Sequence, residues 1–174
     1  MNPWRLLGWG TAAFLLLLPL VAMQFTDEVD WDAFDFVFMG ILFGGVGLGF
    51  ELVFRRSGDR TYRLAVSLAL VTGFLMIWIN AAVGIVGDED EFSVPFVLVV
   101  VVALLGAFLA RFRPAGMARA MIAASLTQLA VPAAEFALLP QARALVLSAD
   151  AMILIAFFTA LWLAAALLFR RAAR

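Results

Sequence analysis

The sequence predicts an all-α polytopic membrane protein, with six transmembrane helices in a compact bundle and both termini cytoplasmic. Three observations predict it. The chain is 66% hydrophobic and 14% charged, with a mean hydropathy of +1.06. A soluble domain has about 45–50% apolar and about 25% charged residues, so this chain could not cover itself with polar surface in water. Six apolar runs fill most of its 174 residues, each near the about 20 residues that a helix needs to cross a ~30 Å hydrocarbon core. The segments after the runs alternate in charge: acidic, basic, acidic, basic, nearly neutral, basic.

Helix rather than strand follows from the runs themselves. They do not alternate polar and apolar residues, they are too long for barrel strands, and a helix satisfies its own backbone in lipid. The first run, 6–25, follows Arg5 and precedes Asp27, Glu28, Asp30, Asp32 and Asp35. No small-x-small cleavage pattern appears before Thr26, so a retained helix is expected rather than a cleaved signal. The second run, 35–54, ends at Arg55, Arg56, Arg60 and Arg63, and the third, 63–86, ends at Asp88, Glu89, Asp90 and Glu91. The fourth, 93–112, meets Arg111, Arg113 and Arg119. The fifth, 117–139, reaches Pro140, and the sixth, 144–169, closes on Arg170, Arg171 and Arg174. Eleven of the twelve basic residues thus fall on one side, which the positive-inside rule makes cytoplasmic. Arg143 is the exception. No connection is long enough to form a soluble domain, so 1–174 reads as a single transmembrane domain.

Composition also excludes chemistry. There is no cysteine and no histidine, and every basic residue is an arginine. Thiolate metal sites, disulfides, imidazole ligation, a histidine base and a Schiff-base lysine are therefore ruled out. No G-x-S-x-G elbow or H-E-x-x-H motif occurs. The expectation is a protein without enzymatic activity, cofactor or metal, and one that binds no nucleic acid. The acidic segments 27–35 and 88–91 would offer oxygen to a hard cation, but neither has a calcium-loop pattern, and enforcing topology explains them.

Small residues recur at helical spacing. Gly40 and Gly44, and Gly45 and Gly49, are four apart, as are Ala156, Ala160 and Ala164; Ala103, Gly106, Ala107 and Ala110 lie on the fourth run. Such residues let membrane helices approach closely, here chiefly within the bundle, with a partner helix or a second copy as the other reading. Trp4, Trp9, Trp31 and Tyr62 lie at interface depth; Trp78 and Trp162 lie deeper and are expected to pack inside. The stretches 49–63 and 106–119 share a pattern of glycine, apolar residues and arginines, which two hairpins with arginine loops explain without a repeat.

Polar groups inside a membrane are costly and mark sites. Glu51 has Arg55 at i+4, which explains it as an ion pair. Thr72, Met76, Asn80 and Gly84 line one face of the third run, and Ser125, Gln128, Pro132 and Glu135 one face of the fifth. Asn80, Gln128, Glu135, Arg143 and Asp150 therefore form a candidate polar pocket in the outer half. The plainer reading is interhelical hydrogen bonds with a rim pair of Arg143 and Glu135 or Asp150.

The stretches WINAAVGIVG (78–87), ARFRPAGMARAM (110–121) and FFTALWLAAALLFRRAA (157–173) resemble a family of small bacterial multi-pass inner-membrane proteins. The likeness covers about the last hundred residues and implies an inner-membrane location with no assigned activity and no site residues. The function expected from the residues is a structural or accessory membrane component working through helix contacts. The alternative is a small carrier or channel with a protonatable pocket. Expected partners are the lipid bilayer, anionic lipids at the inner arginines, and a second copy or a membrane partner protein.

Overall fold

The computed structural model describes residues 3–83 and 94–174, which are mostly helical with no strand among them. The order is α1 (Pro3–Ala22), α2 (Ala33–Arg56), α3 (Arg60–Val83), α4 (Val94–Leu109), α5 (Pro114–Leu138), a 3₁₀ turn (Pro140–Ala142), the one-turn α6 (Arg143–Val146) and α7 (Ala149–Ala172). The acidic run 88–91, the ends of the third and fourth runs around it, Gly84 and the side chain of Trp4 lie outside the described residues. Five described helices are long and apolar enough to cross a membrane. The described part of α4 has 16 residues, or ~24 Å at about 1.5 Å per residue.

Caps set several helix starts. Asp32 accepts hydrogen bonds from the amides of Phe34 and Asp35, while the Asp35 carboxylate accepts from the Asp32 amide. This reciprocal box starts α2. Two acids expected only to set topology thus also cap a helix. Asp59 accepts from the Thr61 amide at the head of α3, and Ser148 accepts from the Ala151 amide at the head of α7. Pro114 opens α5, where a missing N–H costs nothing. The sixth run differs from the expected 144–169. Its first residues, 144–146, belong to the one-turn α6 that follows the 3₁₀ turn, because Pro140 cannot continue α5 and Ser148 starts a new helix.

The chain divides into two units, Met1–Arg55 and Arg56–Arg174. In the first, α1 and α2 meet through few buried side chains. Trp9 stacks over Gly47, where an added Cβ would lie 3.0 Å from the ring, and Leu16 faces Gly40. In the second, α5 packs on both α7 and α4, and α7 on α3, while α3 and α4 meet only slightly. Its core holds Met76, Phe96, Val99, Met121, Phe158, Trp162 and Phe169.

The α4–α5 hairpin is the tightest contact. A Cβ on Gly106 would lie 2.6 Å from that of Ala120, and a Cβ on Gly116 would lie 2.6 Å from that of Ala110. These pairs bring the two backbones together on the small face expected on the fourth run. The turn between them places Arg111 and Phe112 at φ 50° and 58°, a left-handed conformation that costs non-glycine residues about 1–2 kcal/mol each. The Phe112 amide reaches back to Ala107 O at 3.1 Å, and the Tyr62 hydroxyl donates to Phe112 O at 2.7 Å. Tyr62 also meets Phe169 edge-on at 5.5 Å, so α3, α7 and the turn are tied at the arginine-rich end.

Candidate functional site

Ser125, Gln128, Pro132 and Glu135 lie on α5. Ser125 and Gln128 are 2% and 1% exposed, Pro132 is buried and Glu135 is half-buried. The Ser125 hydroxyl is satisfied by Ile122 O at 2.9 Å, and on α3 the buried Thr72 hydroxyl by Leu68 O at 2.7 Å. Gln128 differs. Its Oε1 finds no hydrogen-bond partner among the described residues, and neither do Glu135 Oε2 and the indole nitrogen of Trp162, which is itself 1% exposed. Asn80 is also buried, but on α3, which packs on α7 rather than α5.

Two members of the expected pocket lie elsewhere. Asp150 is exposed, in the first turn of α7. Arg143 is exposed and pairs with neither carboxylate: its Nε donates to Phe136 O at 2.9 Å, and its guanidinium lies 5.4 Å from the Phe136 ring centre. The reason is local. Pro140 lacks the N–H that would have bonded Phe136 O, and the 3₁₀ turn carries Arg143 back over that carbonyl. The rim ion pair is thus replaced by a cap.

The small-residue faces are also revised. On α7 the buried side chains are Ala151, Phe158, Trp162, Ala165, Ala166 and Phe169, whereas Ala156 and Ala160 are exposed and Ala164 is partly so. On α2 nothing lies within 4 Å of a Cβ added at Gly44 or Gly45. Gly40 and Gly47 face α1 instead, while Gly49 is partly exposed. Trp78, expected inside, is 39% exposed and lies edge-on to Phe74.

Glu51 does more than pair with Arg55. It accepts from Arg55 at 2.6 Å, from the Arg5 guanidinium and from Trp9 Nε1 at 3.3 Å. The Arg5 contact across the hairpin had no signal in local spacing. Two cations on one anion leave the cluster with net positive charge. Beside it Arg5, Leu6, Trp9 and Gly10 line a groove of about 430 Å³.

Comparison with protein-family models, with curated proteins and with solved structures found no match for this chain. The fold and its polar groups are therefore read on their own terms: a helical protein with several apolar helices of membrane-spanning length.

Proposed function

We propose that this is a bacterial inner-membrane protein of six spans, with both termini in the cytoplasm, that works as a structural or accessory component through helix contacts. One observation carries the reading. Two helices of membrane-spanning length carry small residues left open among the described residues: Gly45 on α2 and Ala156 and Ala160 on α7 are exposed, and a Cβ added at Gly44 or Gly45 would meet nothing within 4 Å. In lipid the association of helices rests on close packing, and small residues supply it. The arginine-rich ends favour anionic headgroups; the groove beside Arg5 and Trp9 combines a cation, an indole and an apolar floor.

The chain has no cysteine, so single-cysteine cross-linking is free of background. Gly44→Cys and Ala156→Cys in native membranes are expected to give disulfide-linked dimers or adducts with a partner under mild oxidation. Leu104→Cys, on an exposed face without small residues, is expected to give neither. Monomers at all three sites, with a monomer in native mass spectrometry, would refute the proposal.

A further inference from the structure

The arginines of Arg56–Arg174 converge at one end of the unit. Tyr62, at the head of α3, donates to Phe112 O in the α4–α5 turn and meets Phe169 at the tail of α7. Each of these three residues has arginine beside it in the chain. Arg63 follows Tyr62, Arg111 and Arg113 flank Phe112, and Arg170 follows Phe169, with consecutive Cα atoms about 3.8 Å apart. The segments 59–63, 110–119 and 169–174 hold eight arginines and one acid, Asp59, which caps α3. Arg63 is held by Ser57 O. Arg111, Arg113 and Arg170 are exposed, and none of them makes an ion pair among the described residues.

Two features single out the turn within this cluster. Arg111 and Phe112 hold consecutive left-handed conformations. Strain of this kind persists only where the surroundings hold it, and it gathers at ligand sites; here the Tyr62 hydrogen bond holds it. The second feature is an apolar border. Phe108, Leu109 and Phe112 are 64%, 86% and 51% exposed, and Phe108 meets Phe112 edge-on at 5.4 Å. The cations also lie at the ends of α3, α5 and α7, which are long and apolar enough to cross a membrane. Guanidinium groups beside exposed apolar side chains at a span end match a lipid, whose charged headgroup continues into acyl chains. A soluble polyanion would leave the apolar border unanswered.

We propose that Arg111, Arg113 and Arg170 bind the headgroup of a phospholipid that carries two phosphates, with its acyl chains against Phe108, Leu109 and Phe112. Guanidinium forks grip phosphate through paired hydrogen bonds. A single phosphodiester brings one negative charge and leaves most of three cations unanswered. Two phosphates on one headgroup answer them more fully, without the entropy cost of collecting two separate lipids. The site rests on the membrane reading above and names the headgroup its arginines select, but it does not depend on the helix contacts. Monomers in the cross-linking experiment would leave it standing, and loss of lipid selectivity would leave the helix contacts standing.

Thermal unfolding of the full-length protein in neutral detergent provides the test, with diphosphatidylglycerol titrated against phosphatidylglycerol at equal phosphate. The expected result is a saturable rise in Tm with the first lipid and at most a slight one with the second. Arg111→Gln, Arg113→Gln and Arg170→Gln together should raise the lipid concentration for half the effect on the order of 100-fold. Arg5→Gln, Arg55→Gln and Arg56→Gln, which remove the same charge from the other end of the chain, should leave it nearly unchanged. Equal rises with the two lipids, an equal rise with inorganic pyrophosphate, or equal losses in the two triple variants would overturn the site. Should the first triple variant not fold, a photoreactive diphosphatidylglycerol on the native chain decides. Cross-links within 108–113 support the site, and cross-links confined to other segments refute it.

Discussion

The two units use the same residue types in opposite ways. In Arg56–Arg174 the glycines of the α4–α5 hairpin are closed: Gly106 and Gly116 sit against alanines so tightly that no side chain fits. In Met1–Arg55 the paired glycines Gly44 and Gly45 stand open, and the hairpin is held by Glu51 with its two arginines and by Trp9 over Gly47. A small residue in lipid therefore has no fixed meaning. It marks a contact already made where a backbone lies across it, and one still available where none does.

The largest effect expected to test this contrast is Gly106→Ala. The new methyl would meet Ala120 at 2.6 Å, and overpacking of this kind costs about 1–3 kcal/mol. Thermal unfolding in mild detergent, followed by near-UV circular dichroism, should show a lowered Tm. The matched change Gly44→Ala should leave Tm unchanged or slightly raised, since helix propensity favours alanine. Equal losses at both positions would erase the distinction between closed and open glycines.

Tyr62→Phe keeps the ring against Phe169 and removes the hydrogen bond to Phe112 O. A loss of about 1 kcal/mol is expected. Arg111→Gly, which relaxes a left-handed residue, should recover a comparable amount in the same background. If Tyr62→Phe is silent, the strained turn is not held by that bond.

The smallest effect belongs to the hairpin of α1 and α2. Glu51→Gln removes the anion shared by Arg5 and Arg55, whose side chains are 46% and 61% exposed. Exposed pairs contribute less than about 1 kcal/mol, so only a slight loss is expected. Its signature is salt dependence: the difference in unfolding between the native protein and the Glu51→Gln variant should shrink as ionic strength rises.

Much of the fold was legible because its signals are local. Composition and run length pointed to apolar helices of membrane-spanning length, five of which lie among the described residues, and Ser125, Gln128 and Pro132, at i, i+3 and i+7, are buried on α5. The phase of α7 was not legible. A soluble helix declares its buried face by contrast with a polar one, but in lipid both faces are apolar, and alanine spacing gives a period without a direction. Ala156, Ala160 and Ala164 have the right spacing on a face that this chain leaves largely open. Sequence proximity misled at the candidate site for another reason. Arg143, Glu135 and Asp150 are neighbours along the chain, but Pro140 inserts a tight turn that re-aims the arginine. The Arg5–Glu51 contact spans the hairpin, and no local pattern records it.

The position of Arg143 and Asp150 has an electrostatic consequence for the chain's charge pattern. A helix carries roughly half a positive charge at its N-terminus and half a negative charge at its C-terminus. Arg143 lies over the carbonyl end of α5, and Asp150 lies in the first turn of α7. Each complements the macrodipole beside it, an effect of about 0.3–1 kcal/mol per site. Two charges that resemble a functional pair in sequence are each matched to a helix end, and the single arginine that breaks the loop-charge rule is the countercharge of α5.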